Sequence, residues 1–558
     1  MQRLRTAAAA VVTALLATAA TGAGAVPAQA APGAGGAGGD LTHLVNSFIG
    51  TQNDGNTYPG AAVPFGMVQL SPDTGHNTGY DYDQDHIRGF SAVHLSGVGC
   101  GLGGDLPVLP TTGAVSATDD ARYAARFSHA DESASPGYYK VTLGTGITAE
   151  LSATDRTGWQ RYTFPATDQA NVLLNSGQAL HQVTSSTVRV LDDRTVVTAI
   201  TGRGFCQDTR PYTVYTATRF DRPFLSYGTW SGNTVTAGSR SSTSTGLGGA
   251  YVRFDTTTDR AVTAVTALSW VDADGAAKNL AAEGGGSFDA TAAAARQAWQ
   301  DRLGEIRVTG GSQEQQRTFY SSLYRSFLAP NIGSDVDGRY TGWDDKVHTA
   351  GGSTYYQNWS LWDTYRTQQQ LLSLLAPAES RDMALSLLRV AEQSGQLPRW
   401  GYATAETNIM TGDPVTPFLV DAYRQGLLKG HEEEAYRALR KHVDTVPPPS
   451  SPSAVRQADA EYLAGGFVPY DPGRAQDKPG DDDFQHGPSA TLEYALADAA
   501  VGGMARDLGH LADARRYLAR GQNYRNLLDP RTGFFRARTT DGAFTGPADP
   551  AASVGFHE

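Results

Sequence analysis

Aromatic rings, carboxylates and amides crowd into a few short stretches of the second half of the chain. Asn358-Trp359-Ser360-Leu361-Trp362-Asp363-Thr364-Tyr365-Arg366 is the densest. Leu397-Pro398-Arg399-Trp400-Gly401-Tyr402 runs into Glu406-Thr407-Asn408 and then Gly412-Asp413-Pro414. An indole or phenol stacks on the apolar face of a pyranose, while carboxylates, amides and guanidinium groups hydrogen-bond its hydroxyls. This mixture suits a sugar. Trp359 alone reads as packing at a helix start, and Asp363 as a first-turn acid favoured by the helix dipole. The whole Trp-Asp-Thr-Tyr-Arg cluster favours a ligand. In the first half, His94-Leu95-Ser96-Gly97-Val98-Gly99-Cys100 leads into Gly103-Gly104-Asp105, a glycine-rich loop that can bring backbone close to a ligand. A lone histidine is more often a hydrogen-bonded framework residue than a catalyst.

Other chemistries lack their motifs. No Gly-x-x-x-x-Gly-Lys-Ser/Thr phosphate loop occurs, and Gly-x-Ser-x-Gly is missing, so neither a nucleotide site nor a serine nucleophile elbow is indicated. A complete His-Glu-x-x-His is absent too; His557-Glu558 are the last two residues. Two cysteines cannot build a cysteine-rich zinc site. The run Asp481-Asp482-Asp483 lacks EF-hand spacing and reads as a solvated acidic loop. A formal net charge of −12 argues against nucleic acid as a partner.

Two different periods must position these residues. From Val45 to about Trp270 the chain reads as short strands, among them 138–143, 195–200 and 262–268, separated by Gly, Asn, Asp and Pro. That pattern predicts a β-sandwich. Residues 272–286 are Gly/Ala-rich and read as a boundary, followed by an Ala-rich helix over 289–303. Beyond about Gln313 the period is helical, with helices expected near 384–393, 417–427, 432–443, 490–508 and 511–528. Antiparallel helices with long functional loops predict an (α/α)6 toroid. Such a barrel needs about twelve helices, and roughly eight are legible here. The expected organisation is a signal peptide over 1–30, a flexible start over 31–39, a β-sandwich over 40–285, a helical linker over 286–311 and a partial (α/α)6 domain over 312–558. Arg3 and Arg5, the apolar run 7–20 and Ala28-Gln29-Ala30 form the export signal. No later stretch has the roughly 18 apolar residues of a membrane span. Cys100 and Cys206 could pair in an exported protein or stay as buried thiols.

Taken in order, these stretches resemble glycoside hydrolase family 92, the calcium-dependent exo-acting α-mannosidases. The resemblance runs through Val45–Thr51, Gly60–Leu70, Gly89–Ser91, His94–Gly97, Gly104-Asp105, Tyr320–Tyr324, Trp359–Arg366, Leu397–Trp400, Glu406–Asn408 and Thr491–Ala495. It implies a β-sandwich followed by an (α/α)6 barrel, and inverting hydrolysis of terminal α-mannosides, often α-1,2-linked, from N-glycans or mannans. Inversion uses one carboxylic acid and one base roughly 6.5–9.5 Å apart. Calcium is the implied cofactor and a mannose-containing oligosaccharide or glycoprotein glycan the implied partner.

The resemblance also implies roles. Trp362 and Asp363 match the family's Trp-Asp-Thr motif, whose aspartate binds sugar. His94 and Gly66 match sandwich loops that approach the same subsite, and Arg399, Trp400 and Glu406 match the barrel loop beside it. Glu558 is similar to the glutamate of a Glu-Gly-Asn-type motif that serves as general acid; Glu493, in a helical Thr-Leu-Glu-Tyr-Ala setting, is the competing acid with a supporting role. The family's Gly-Asn-Glu-Pro loop and Asp-Asp-x-Gly-x-Met-Ser-Ala-Trp segment, which supplies the base, are not in the 558 residues. The expectation is a C-terminally truncated, inactive or impaired mannosidase. The alternative expectation is a non-catalytic carbohydrate-binding protein.

Overall fold

The computed structural model of this protein describes residues 39–547 apart from 77, 204–205, 207–209, 448–454 and 475–482, together with residues 549 and 551. The expected signal over 1–30, Asp481, Asp482 and Glu558 lie outside the described residues.

The first half contains two large antiparallel sheets. One has eight strands, with Val108–Thr112, Ala170–Asn175 and Gly248–Phe254 adjacent at its centre. The other has ten and centres on Thr195–Arg203, Tyr212–Phe220, Ala261–Ser269 and Thr157–Thr163. Val172, Leu174 and Val252 from the first sheet share one core with Val196, Val214 and Val262 from the second. Side chains alternate across a strand, so Val214, Thr216, Thr218 and Phe220 share a face while Tyr215 and Ala217 turn to the other. The threonines are buried with their hydroxyls paired across strands, Thr198 to Thr216 at 2.7 Å and Thr218 to Thr266 at 2.9 Å.

Residues 272–286, read as a boundary, carry the helix Ala273–Glu283. Asp272 caps it by accepting from the Gly275 N–H at 2.7 Å. Ala276 and Leu280 cover Ala217, Val265 and Ala267 on the outer face of the ten-stranded sheet. The alanines thus meet a flat apolar surface that the local sequence does not reveal. The helix Phe288–Leu303 follows close to expectation.

The second half is helical. Gln313–Ser326 starts with a capping box between Ser312 and Gln315, and Pro377–Ser394 begins on a proline and ends at Gly395 with φ 77°. Val415–Arg424, Glu432–Asp444 and Gly487–Asp507 match the expected helices within a few residues at each end. The helix expected over 511–528 stops at Arg520, and a 3-10 turn over Asn523–Leu527 succeeds it. Short strands interrupt the loops. Trp359–Ser360, Trp400–Tyr402 and Ala405–Glu406 make a three-stranded ribbon.

The halves are tied by main-chain bonds. Phe65 donates to the Phe327 carbonyl at 2.8 Å, and Ile332 donates back to the Phe65 carbonyl at 2.8 Å. The Trp299 indole donates to the Ala62 carbonyl at 2.6 Å, and Arg325 reaches the Ser47 carbonyl at 2.7 Å. The 60–70 turn is therefore a plug from the sheets into the helices.

Candidate active site

Pairing of Ser360 with Trp400 sets the cluster around Trp362 beside the 400–406 hairpin. A single helical turn, Leu361–Thr364, leaves Trp362 half-buried and Asp363 exposed. The Asp363 carboxylate accepts from the Trp400 indole N–H at 3.2 Å and from the Ser360 hydroxyl. It is held in place yet open to solvent, as a sugar-binding carboxylate must be.

Arg399 and Glu406 sit behind that surface, not on it. The Arg399 side chain is fully buried and donates to the carbonyls of Gly412, Val455 and Asn408 at 3.0 Å each. It also faces Asp483 at 3.4 Å. Glu406 accepts from the backbone N–H groups of Arg399 at 2.7 Å, Trp400 at 3.1 Å and Asn408 at 3.0 Å. Burial raises the pKa of the Glu406 carboxyl, opposed by Arg399 and these three donors. In this geometry both residues shape the hairpin. Asp483, expected in a solvated acidic run, is buried, accepting from Tyr494 and from the Gln457 N–H at 3.1 Å. Its burial has an electrostatic reason: a buried guanidinium needs a buried counter-charge.

Glu493 lies on the helix Gly487–Asp507, half-buried, and accepts from the Tyr365 hydroxyl at 2.5 Å and from the Arg366 guanidinium. Arg366 also stacks over the Tyr365 ring at 4.5 Å. Burial raises the Tyr365 pKa, and the neighbouring Glu493 raises it further, so the phenol stays a donor. These contacts fasten the turn that bears Asp363 to a helix about 130 residues later. Sequence order carries no sign of that link beyond the residues' presence in two separate motifs.

On the sandwich side, Gly66 is buried in the seam. Its carbonyl accepts from Gln69 at 2.6 Å and Asn331 at 3.0 Å, and a Cβ there would meet Val63 at 2.9 Å. Asn331 bonds Asn358 at 3.0 Å, and Asn358, with φ 65°, accepts from the Ala403 N–H at 3.2 Å. Gly66 thus reaches the hairpin through two asparagines, of which Asn331 lies outside the aromatic and acidic clusters of the sequence. His94 is buried, with Nδ1 at 2.9 Å from the Gln69 carbonyl oxygen and Nε2 at 2.9 Å from Asp73. Both ring nitrogens are engaged inside the sandwich, so His94 has the framework role rather than a ligand-facing one. Cys100 and Cys206 are joined in a disulfide, with Cα atoms 5.3 Å apart. Near it Asp105 lies 3.2 Å from His181 and accepts from Tyr212 at 3.2 Å. Burial opposes a charge on His181, but Asp105 outweighs it and raises the imidazole pKa.

Among the described residues, no group of three or more His, Cys, Asp or Glu side chains is placed to hold a metal ion. None is assigned as a ligand, and Glu558 lies outside the described residues. Among the described residues no helix is long and apolar enough to cross a membrane.

Residues 44–269 match the glycosyl hydrolase family 92 N-terminal domain, and residues 275–558 match the glycosyl hydrolase family 92 catalytic domain. A family 92 α-mannosidase from Bacteroides thetaiotaomicron is 30% identical and superimposes with a TM-score of 0.84, over 93% of this chain and 70% of that one. An inverting family 92 mannosidase from the same bacterium is 29% identical, with a TM-score of 0.82 over 91% of this chain and 68% of that one. A protein of Arthroderma benhamiae described as an uncharacterized secreted glycosidase is 26% identical over 92% of this chain and 67% of its own length.

Proposed function

The chain belongs to glycosyl hydrolase family 92, an α-mannosidase family, and we propose that it is a secreted hydrolase of terminal α-linked mannose, α-1,2 in preference, on N-glycans or mannans. The observation that carries this reading is the exposed Asp363 carboxylate, oriented by Trp400 and Ser360 beside the half-buried Trp362. A carboxylate fixed by two donors keeps lone pairs for sugar hydroxyls, and an adjacent indole covers the apolar face of the ring. The mannoimidazole complex of the bacterial relative supports a mannose-shaped ligand. The same family supports inversion and the (α/α)6 form of the helical half, with Glu558 as proposed general acid. Calcium, when bound, supplies a hard cation for sugar hydroxyls.

Asp363 binds and orients the terminal sugar. Glu493, through Tyr365 and Arg366, holds the turn that presents it. Arg399 and Glu406 keep the hairpin that positions Trp400. Release of mannose from α-1,2-mannobiose, followed with calcium and after chelation, tests the proposal. Proton NMR of the first-formed anomer tests inversion, with β-mannose expected. Sugar binding without any turnover would replace the hydrolase with the carbohydrate-binding alternative.

A further inference from the structure

Residues 361–375 contain no glycine or proline and are rich in leucine and glutamine, so local propensity favours one continuous helix. The structure breaks it instead. Thr367, between the turn Leu361–Thr364 and the helix Gln368–Leu375, has φ 69° and ψ −52°. The Gln368 N–H donates to the Arg366 carbonyl at 3.0 Å, closing a γ-turn of the rare, strained hand. Positive φ is costly at a β-branched residue, and the Thr367 side chain is exposed, so its own packing does not offset that cost. We propose that Thr367 is a positioning residue: its γ-turn, held by Glu493, dislocates the helix so that Asp363 meets Trp400.

Both flanks of the γ-turn are fastened. On the Asp363 side, Glu493 accepts from the Tyr365 hydroxyl at 2.5 Å and from Arg366. On the other, the Gln368 amide donates to the carbonyls of Ser326 at 2.9 Å and Ala329 at 3.3 Å. A continuous helix would give the Tyr365 carbonyl a backbone N–H four residues on; here the Gln370 side-chain amide donates to it at 3.2 Å instead. The strain has company. Asn358, Ala403, Asn408 and Met410, in the loops that flank this turn, have φ of 65°, 49°, 55° and 66°. Such backbone persists where the surrounding structure over-determines it, and it clusters at functional sites. Without the Glu493 ties the segment relaxes toward the helix its residues favour, and Asp363 leaves Trp400. The sugar-binding part given to Asp363 rests on the hydrolase reading; the γ-turn and its clamp do not.

Two variants of the full chain test this. Thr367→Ala and Thr367→Gly both delete the hydroxyl and the methyl, but only glycine takes φ 69° without strain. In an ordinary helix alanine is the more stable of the two; here Thr367→Gly is expected to have the higher urea midpoint. The indole N–H resonance of Trp400, assigned through its loss in Trp400→Phe, reads the Asp363 contact without any ligand. It is expected to move upfield in Thr367→Ala, as the hydrogen bond is lost, and to stay in place in Thr367→Gly. On an α-mannoside, Thr367→Ala raises KM about threefold or more with kcat nearly constant, and glycine restores it. Glu493→Gln shifts the same resonance in the parent and less in the Thr367→Gly background, where no strain opposes the turn. The proposal is overturned if the alanine variant has the higher midpoint, if alanine and glycine move the Trp400 resonance alike, or if Glu493→Gln acts equally in both backgrounds. Failure of the hydrolase reading is scored separately, as no mannose released by the unsubstituted chain; the midpoints and the indole resonance then still decide.

Discussion

The indole N–H of Trp400 donates to the Asp363 carboxylate across 3.2 Å, joining the helical turn at 361–364 to the 400–402 strand. The bond fixes one lone-pair direction of an exposed acid and leaves the rest of the carboxylate for a ligand.

Asp363→Asn is therefore expected to lower kcat/KM on an α-mannoside by about 10–100-fold, the cost of a charged hydrogen bond to substrate. The circular dichroism spectrum stays that of the parent. Trp400→Phe has a smaller effect, about tenfold or less, because the acid remains but loses its guide. Unchanged kinetics in Asp363→Asn would remove this residue from the site.

Glu493→Gln keeps an acceptor for Tyr365 but removes the charge opposite Arg366. Arg366 is 62% exposed, so the stability change stays within ~1 kcal/mol. The expected signature is a severalfold rise in KM with kcat nearly constant. A collapse of kcat with KM unchanged would give Glu493 a direct part in the chemistry instead.

Arg399→Met leaves Asp483 and Glu406 buried without their shared cation. A loss of about 3–5 kcal/mol is expected in urea unfolding, as for other broken buried pairs. A loss below ~1 kcal/mol would show that water enters and solvates the acids.

The Cys100–Cys206 disulfide spans 106 positions. Reduction, or the double change Cys100→Ala and Cys206→Ala, should cost about 2–4 kcal/mol through the larger entropy of the opened chain. Equal melting temperatures with and without reductant would contradict that.

Asp335 is buried, accepts from Ser269 at 2.9 Å and Asn279 at 2.8 Å, and its carboxyl is pushed up to about 6, chiefly by burial. Unfolded, it titrates near 3.8. Between these values the folded state holds the proton more tightly, so its contribution to stability is full below pH 4 and is lost as pH rises through 6. The span is on the order of 2–3 kcal/mol. Asp335→Asn should flatten the stability profile between pH 4 and 7; a profile of unchanged slope would rule Asp335 out as its source.

Much of the fold follows from local pattern. The strand at 195–203 and the helix at 432–444 need only β-branched alternation in one case and a 3.6-residue stripe in the other. The helix at 273–283 and the three-stranded ribbon at 359–406 were not legible. The first depends on a sheet surface to receive its alanines, and the second on strands of two or three residues paired across about 40 positions. In the site, the Trp-Asp-Thr cluster was readable as sugar chemistry and the lone His94 as framework, whereas the framework positions of Arg399 and Glu406 were not.

Residue types and their order were enough to divide this chain into a strand-rich and a helix-rich half and to aim its chemistry at a sugar. They could not say which polar groups face the ligand. Asp363 and Asp483 look alike in a loop, yet one is exposed and the other buried opposite Arg399, 84 positions earlier. Whether a carboxylate is solvated or paired depends on which distant chain folds against it. Desolvation and its compensating partners exist only in three dimensions.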